Sequence, residues 1–325
     1  MSLTTRQILA LKALPGVGKQ SILKVGNYRT QDIDTEELPE VLEKCAVKMK
    51  NPAGKGKKPI TAEDINSALK TADEIIEKSR SHQVGIISYY ESGFPANLRN
   101  TKTEDGKRSD PPILLFYKGD LTALNEPAIA IIGTRNNTPG GEKAGLYLSS
   151  EFARRGFCIV SGLALGCDTI GHKGALKAGG KTIAFLAHGL DTIYPSQNKN
   201  LAQEIIQSGG LLLSEYEIGT PVTQYNLVAR DRLQAGLSLA TLVIQTGVKG
   251  GTMHAAMNCI NSGKPLFVIK YSDEKTDSDE KTLGNHMLAK DFGATYIRGT
   301  DNLDDLARTI LQSTERSESH QLSLF

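Results

Sequence analysis

Two glycine-bearing segments, Gly133-Thr134-Arg135 and Ser161-Gly162-Leu163-Ala164-Leu165-Gly166-Cys167-Asp168, each follow an apolar run and precede a helical one. Such turns suit anion binding. Unpaired backbone N–H groups at a helix start face outward at the positive end of the helix dipole, where phosphate is held. Arg135 adds a planar fork of donors suited to a pair of phosphate oxygens, and Ser161 adds a hydroxyl with no flanking bulk at Gly162. Three later segments repeat the theme: Lys199 at a strand-to-helix crossing, Arg230-Asp231-Arg232 at a helix start, and Lys249-Gly250-Gly251-Thr252 opening the helix at Met253. For Arg230 and Arg232 the competing expectation is an ion pair with Asp231 or Glu215. Neither glycine turn carries an obvious catalytic group.

The elements that must position these residues are legible as strict alternation. Apolar strands end near Ile132, Val160, Leu186, Leu213, Ile244 and Val268, and the first five lead through turns into helical segments. Repeated βα units predict a doubly wound, mostly parallel α/β sheet, Rossmann-like, with its ligand site outside the carboxyl ends of the strands. The region from Val84 reads as a connection leading to the strand Ile113–Tyr117. A strand at Ala294–Ile297 and a helix at Asn302–Gln312 end the fold, and Ser272–Glu280 reads as a solvated acidic loop. The expected organisation is a small all-α domain over 1–82, a Rossmann-like domain over 83–312, and a flexible tail over 313–325.

The amino-terminal domain has a helix-hairpin-helix pattern of the SAM-like kind. Gly16 and Gly18 in Leu14-Pro15-Gly16-Val17-Gly18 would let a phosphodiester approach, and Lys19 adds charge; a plain tight turn is the alternative. Lys48–Lys58 reads as a basic, solvated loop. At the other end, Gln321-Leu322-Ser323-Leu324-Phe325 puts an apolar tip on a polar tether.

Composition excludes several classes. The 325 residues are 39% hydrophobic, enough for one large core and an accessory domain. Four scattered cysteines fit a reducing cytoplasm, and no apolar run is long enough to span a bilayer. The net charge of +2 leaves any nucleic-acid site to local clusters. The first turn is not Gly-x-Gly-x-x-Gly, and the second strand ends in Ser161, not in an acidic residue that would hold a ribose. No phosphate loop of the Gly-x-x-x-x-Gly-Lys-Ser/Thr type occurs, and no histidine shows metal spacing. No cofactor, no metal and no catalytic residue are expected.

Together these segments resemble the DNA-processing protein A family (DprA, also called Smf), with its Gly-Ser/Thr-Arg and Ser-Gly-x-Ala-x-Gly-x-Asp pattern. Phe94-Pro95, Asp110-Pro111-Pro112, Gly189-Leu190-Asp191, Tyr194-Pro195 and Ser214-Glu215 add to the likeness. The resemblance implies a non-enzymatic protein that binds single-stranded DNA in a basic pocket, delivers it to the RecA recombinase during natural transformation, and works as a homodimer. It implies that Arg135, Ser161, Gly162, Lys199, Arg230 and Arg232 hold the backbone. The chain departs from the pattern at Asp231, where the family usually has Asn, and at Lys249–Thr252, which looks more like the turn of nucleotide-binding relatives. It is also read as lacking the carboxyl-terminal winged helix of many members. A nucleotide sensor or nucleoside-monophosphate hydrolase on the same sheet is therefore the alternative. The last five residues resemble the peptide by which bacterial proteins bind the replication sliding clamp, with Gln321, Leu322, Leu324 and Phe325 as contacts.

Overall fold

The computed structural model describes residues 2–322 except 53 and 104, with side chains as far as residue 312. The amino-terminal part contains α1 (Thr5–Ala13), α2 (Lys19–Gly26), α3 (Leu38–Lys44), the short strands β1 (Met49–Lys50) and β2 (Lys57–Lys58), and α4 (Ala62–Ser81). Capping boxes start the two principal helices: Thr4 with Gln7 for α1 and Thr61 with Asp64 for α4. Ile8, Leu9, Leu69 and Ala72 of these helices share one core with Leu114, Phe116 and Leu186 of the sheet, so the helical part is seated on the larger domain.

The larger domain runs β3 (Gly85–Ser88), α5 (Ala96–Arg99), β4 (Leu114–Gly119), β5 (Ala128–Ile132), α6 (Pro139–Arg154), β6 (Cys158–Ser161), α7 (Cys167–Lys177), β7 (Thr182–Leu186), α8 (Lys199–Gln207) and β8 (Leu211–Ser214). It continues through α9 (Gln224–Leu237), β9 (Ala240–Val243), α10 (Gly251–Asn261), β10 (Leu266–Ile269), α11 (Glu274–Asp277), α12 (Leu283–Phe292), β11 (Thr295–Ile297) and α13 (Leu303–Leu322). Among the described residues the sheet has nine strands in the order β11-β10-β9-β5-β6-β7-β8-β4-β3. β4 pairs antiparallel with β3 and β8, and all other neighbours are parallel. Every residue of β5 to β9 is buried, which explains their unbroken apolar runs: helices cover both faces of a parallel sheet.

The chain steps outward from β5 through β6 and β7 to β8, then α9 carries it back to β9 on the other flank of β5. The winding direction reverses between β5 and β9, and a crevice opens there beyond the strand ends. This is the Rossmann-like architecture expected from the sequence.

Four local expectations are corrected. Gly85–Ser88 is an edge strand. Residues 48–58 include a short antiparallel hairpin, with Met49 opposite Lys58 and Lys50 opposite Lys57. The acidic loop contains α11, and Asp277 accepts the Tyr271 backbone N–H at 3.1 Å and pairs with Lys270. The last helix continues to Leu322, not Gln312; Gln321 and Leu322 end it, and Leu324 and Phe325 lie outside the described residues. Among the described residues no helix is long and apolar enough to cross a membrane.

Candidate nucleic-acid interface

The crevice at the β5/β9 switch has a volume of about 350 Å³ and is lined by the turn after β5 (Gly133, Thr134, Arg135), the start of α9, and the turn and first residues of α10 (Gly247, Lys249, Gly250, Gly251, Thr252). Sequence spacing alone could not bring the first and last of these together; the strand order does. The two glycine turns also touch. A Cβ on Gly166, whose φ is +75°, would lie 2.4 Å from the Thr134 carbonyl oxygen, so only glycine lets the second turn close on the first. The Cys167 N–H donates to that carbonyl at 3.1 Å, and the Thr134 N–H donates to Gln245 O at 2.7 Å.

The second turn is occupied from within. Asp168 accepts the N–H groups of Gly162 and Ala164 at 3.2 Å each, taking amides that the sequence reading gave to phosphate. Burial pushes its carboxyl up, with the nearby Arg230 guanidinium pulling the other way. Ser161 is fully buried and donates its hydroxyl to Ile131 O at 2.6 Å, so it faces the sheet and not the crevice. These are corrections to Ser161 and Gly162: the Ser161 hydroxyl is taken by a neighbouring strand's carbonyl, and a carboxylate six residues after Gly162 folds back as the turn's own anion.

Arg230 lines the crevice but is engaged within the fold, and Arg232 is corrected outright. They are 5% and 7% exposed. Arg230 donates to Gly162 O at 2.7 Å and to Phe185 O, tying the ends of β6 and β7 to α9; a Cβ on Gly162 would strike its guanidinium. Arg232 forms a two-pronged pair with Glu215, at 2.7 and 2.8 Å, and meets Asp110 at 2.5 Å. Two residues apart on a helix cannot share a face, so both could never point into one cleft. Lys19 also meets Asp110. The helix-hairpin-helix turn is touched on one side only: the Lys50 stem lies against Gly16 and the Lys50 N–H donates to Pro15 O at 2.7 Å, while Gly16 and Gly18 are exposed and nothing lies within 4 Å of a Cβ at Gly18.

What remains open is the other side of the crevice. No side chain caps α10, whose N-cap is Gly250, so its first-turn amides face the cleft with the dipole behind them. Arg135 and Lys249 are exposed at the rim, and neither side chain has a partner among the described residues. Lys199 lies off the crevice wall but beside the second turn. Its neighbour Asn198 donates to Leu163 O at 2.8 Å and Ala164 O at 3.2 Å. Three groups escaped the sequence reading: Asp168, Tyr225 (80% exposed, at the start of α9) and Leu165 (39% exposed, on the second turn). An aromatic and an aliphatic surface beside a phosphate site are what unpaired bases stack on.

Asp231 stands at the centre. Its Oδ1 accepts from Arg230 Nε and from Gln234 Nε2, both at 3.1 Å. Burial pushes its carboxyl up to about 6, with Arg230 opposing and Asp168 adding to the rise. A Cβ on Gly251 would be 4.0 Å from Asp231 Oδ2, which places the carboxylate near the open end of α10.

An open sheet with a phosphate-suited cleft at its switch point defines a Rossmann-like binding domain. A family model described as DNA recombination-mediator protein A matches residues 85–308, and the chain belongs to that family. It is 36% identical over 198 residues to Protein Smf of Escherichia coli, an alignment covering 61% of this chain and 52% of that one. It is 38% identical over 161 residues to the DNA processing protein DprA of Bacillus subtilis, covering 49% and 54%. The chain spans about half the length of these curated relatives. Among solved structures, DprA of Streptococcus pneumoniae superposes with a TM-score of 0.73 at 28% identity, covering 94% of this chain and 98% of that one. DNA processing protein A of Helicobacter pylori, whose structure is described by its single-stranded DNA binding mode, superposes with a TM-score of 0.58 at 33% identity, covering 71% and 96%.

Proposed function

We propose that this protein binds single-stranded DNA along the β5/β9 crevice and acts as a recombination mediator without catalysing a reaction. The observation that carries the reading is the uncapped start of α10 flanked by two cations, Arg135 and Lys249, that have no partner among the described residues. Phosphates sit at the α10 amides, Arg135 and Lys249 neutralise them, and Lys199 continues the basic edge past the second turn. Leu165 and Tyr225 offer surface to unpaired bases. The resemblance of the Helicobacter pylori protein supports a single strand as the ligand. The Ser161 hydroxyl turned to Ile131 O and the Asp168 carboxylate engaged by the Gly162 and Ala164 N–H groups support a binding role over hydrolysis.

We further propose that the strand is delivered to the RecA recombinase and that the protein works as a homodimer in the cytoplasm; the family's description as a recombination mediator supports the first of these. A sliding-clamp contact through Gln321, Leu322, Leu324 and Phe325 rests on the peptide's sequence alone. Deleting residues 321–325 and following clamp co-elution tests that part.

Fluorescence anisotropy with labelled oligo-dT, titrated across salt, tests the main reading. Affinity should fall steeply as salt rises, and mononucleotides should compete poorly. Salt-insensitive binding, or displacement of the strand by equimolar mononucleotide, would replace it with the nucleotide-sensor alternative.

A further inference from the structure

The amino-terminal domain carries a second charged feature that the crevice does not use. In the β1–β2 hairpin Met49 is buried, and Lys58, opposite it, donates to Asp64 at 2.8 and 2.9 Å, so this face is turned inward. The outward face carries Lys48, Lys50 and Lys57, with Lys55 in the connecting turn; all four are exposed, and none has an ion-pair partner among the described residues. Elsewhere in the domain Lys12, Lys19 and Arg29 each meet a carboxylate. Lys50 stands directly opposite Lys57 across the ladder. Like charges in that position destabilise a pair of strands, and a two-stranded ribbon is marginal to begin with. The charges therefore work against the hairpin unless an anion lies over them.

The hairpin is also held in place and does not dangle. Val47, Met49 and Ile60 are buried, the Lys50 N–H donates to Pro15 O at 2.7 Å, and the Asn51 N–H donates to Gly56 O at 3.0 Å. Lys48 and Lys50 project from one face at a strand spacing of about 6.8 Å, a row that a repeating anion can match charge for charge.

We propose that this lysine hairpin is a second contact for the phosphodiester backbone of a nucleic acid, separate from the crevice. A chain long enough to leave the crevice, or a flanking duplex, would lie across Lys48, Lys50 and Lys57.

The test is a Lys50→Gln/Lys57→Gln double variant of the full chain, checked for fold by circular dichroism and titrated over salt by anisotropy. Three probes are used: a single strand of about six nucleotides, one of about forty, and a duplex of about twenty pairs. The expected result is unchanged short-strand binding, with about tenfold weaker binding of the long strand, the duplex or both at low salt. The salt slope should shrink by about 1.4 for single strand and about 1.8 for duplex. Loss in the single-strand arm or in the duplex arm says which form lies over the hairpin. Unchanged affinity and slope in both arms overturns the proposal, as does an equal loss with the short strand, which would make the hairpin part of the crevice. If the crevice reading itself fails, the unaltered protein will not bind the short strand, while the variant's effect on the longer probes still reports on the hairpin.

Discussion

Replacing Asp231 with asparagine should tighten single-strand binding at neutral pH and flatten its pH dependence. With its carboxyl pushed up to about 6 by burial, Asp231 is about 97% ionised at pH 7.5 and about 24% ionised at pH 5.5. A phosphate at the start of α10 would lie about 6 Å away, where two like charges repel by about 1.5–3 kcal/mol at an effective dielectric of about 20–40. The crevice is open to water, so the low end applies, about tenfold in affinity. Asparagine keeps an oxygen to accept from Arg230 Nε and Gln234 Nε2, so the local fold is retained. The assay is oligo-dT anisotropy between pH 5.5 and 8. The unaltered protein should bind more tightly as the pH falls through about 6, and Asp231→Asn should bind about tenfold more tightly than it at pH 7.5. His254 acts on the same carboxylate, opposing its rise. Stability has its own sign. A carboxyl raised in the folded state favours folding below about pH 4, and that contribution is lost as pH rises through about 6. Equal or weaker binding by the variant at pH 7.5, with the same pH slope, would refute the placement of phosphate beside Asp231.

Three further outcomes follow from the geometry. Arg135→Ala and Lys249→Ala should each lower the salt slope of single-strand binding by about 0.7, read by anisotropy, while Ser161→Ala should leave it unchanged. Arg232→Met leaves Glu215 and Asp110 without their buried partner and should cost about 3–5 kcal/mol in chemical denaturation. Lys264→Met should cost about 2–4 kcal/mol in the same assay, because Lys264 Nζ donates to Ala235 O, Gly236 O and Ser238 O, at 2.9, 2.6 and 2.7 Å, at the end of α9.

The fold was legible where buried strands leave unbroken apolar runs, as in Ala128–Ile132 and Leu211–Ser214, and where glycine turns mark their ends. It was less legible at the edges. Gly85–Ser88 is short and becomes a strand only by pairing with Leu114–Tyr117, a contact that local pattern does not encode. Of the site, Arg135 and Lys249–Thr252 sit on the crevice as read. Ser161, Gly162 and Arg232 do not face it, and Arg230 lines it with its guanidinium held by Gly162 O, Phe185 O and Asp231, so the ion pairs weighed as the competing expectation, Asp231 for Arg230 and Glu215 for Arg232, are the ones that form. Two partners gave no local sign: Asp168, which takes the Gly162 amide from six residues further on, and Asp110, which reaches Arg232 from a distant loop. Helical spacing did hold one unused clue, since Arg230 and Arg232 must point apart. Tyr225 went unnoticed because a lone tyrosine between polar residues gives no sign of exposure.

Hydrogen–deuterium exchange with and without single-stranded DNA tests the central claim most directly. Residues 249–253, at the uncapped start of α10, should gain protection on binding, while the Gly162 and Ala164 amides, already held by Asp168, should not change. Protection at Gly162 and Ala164 with none at the start of α10 would contradict the account and return the phosphate to the second glycine turn.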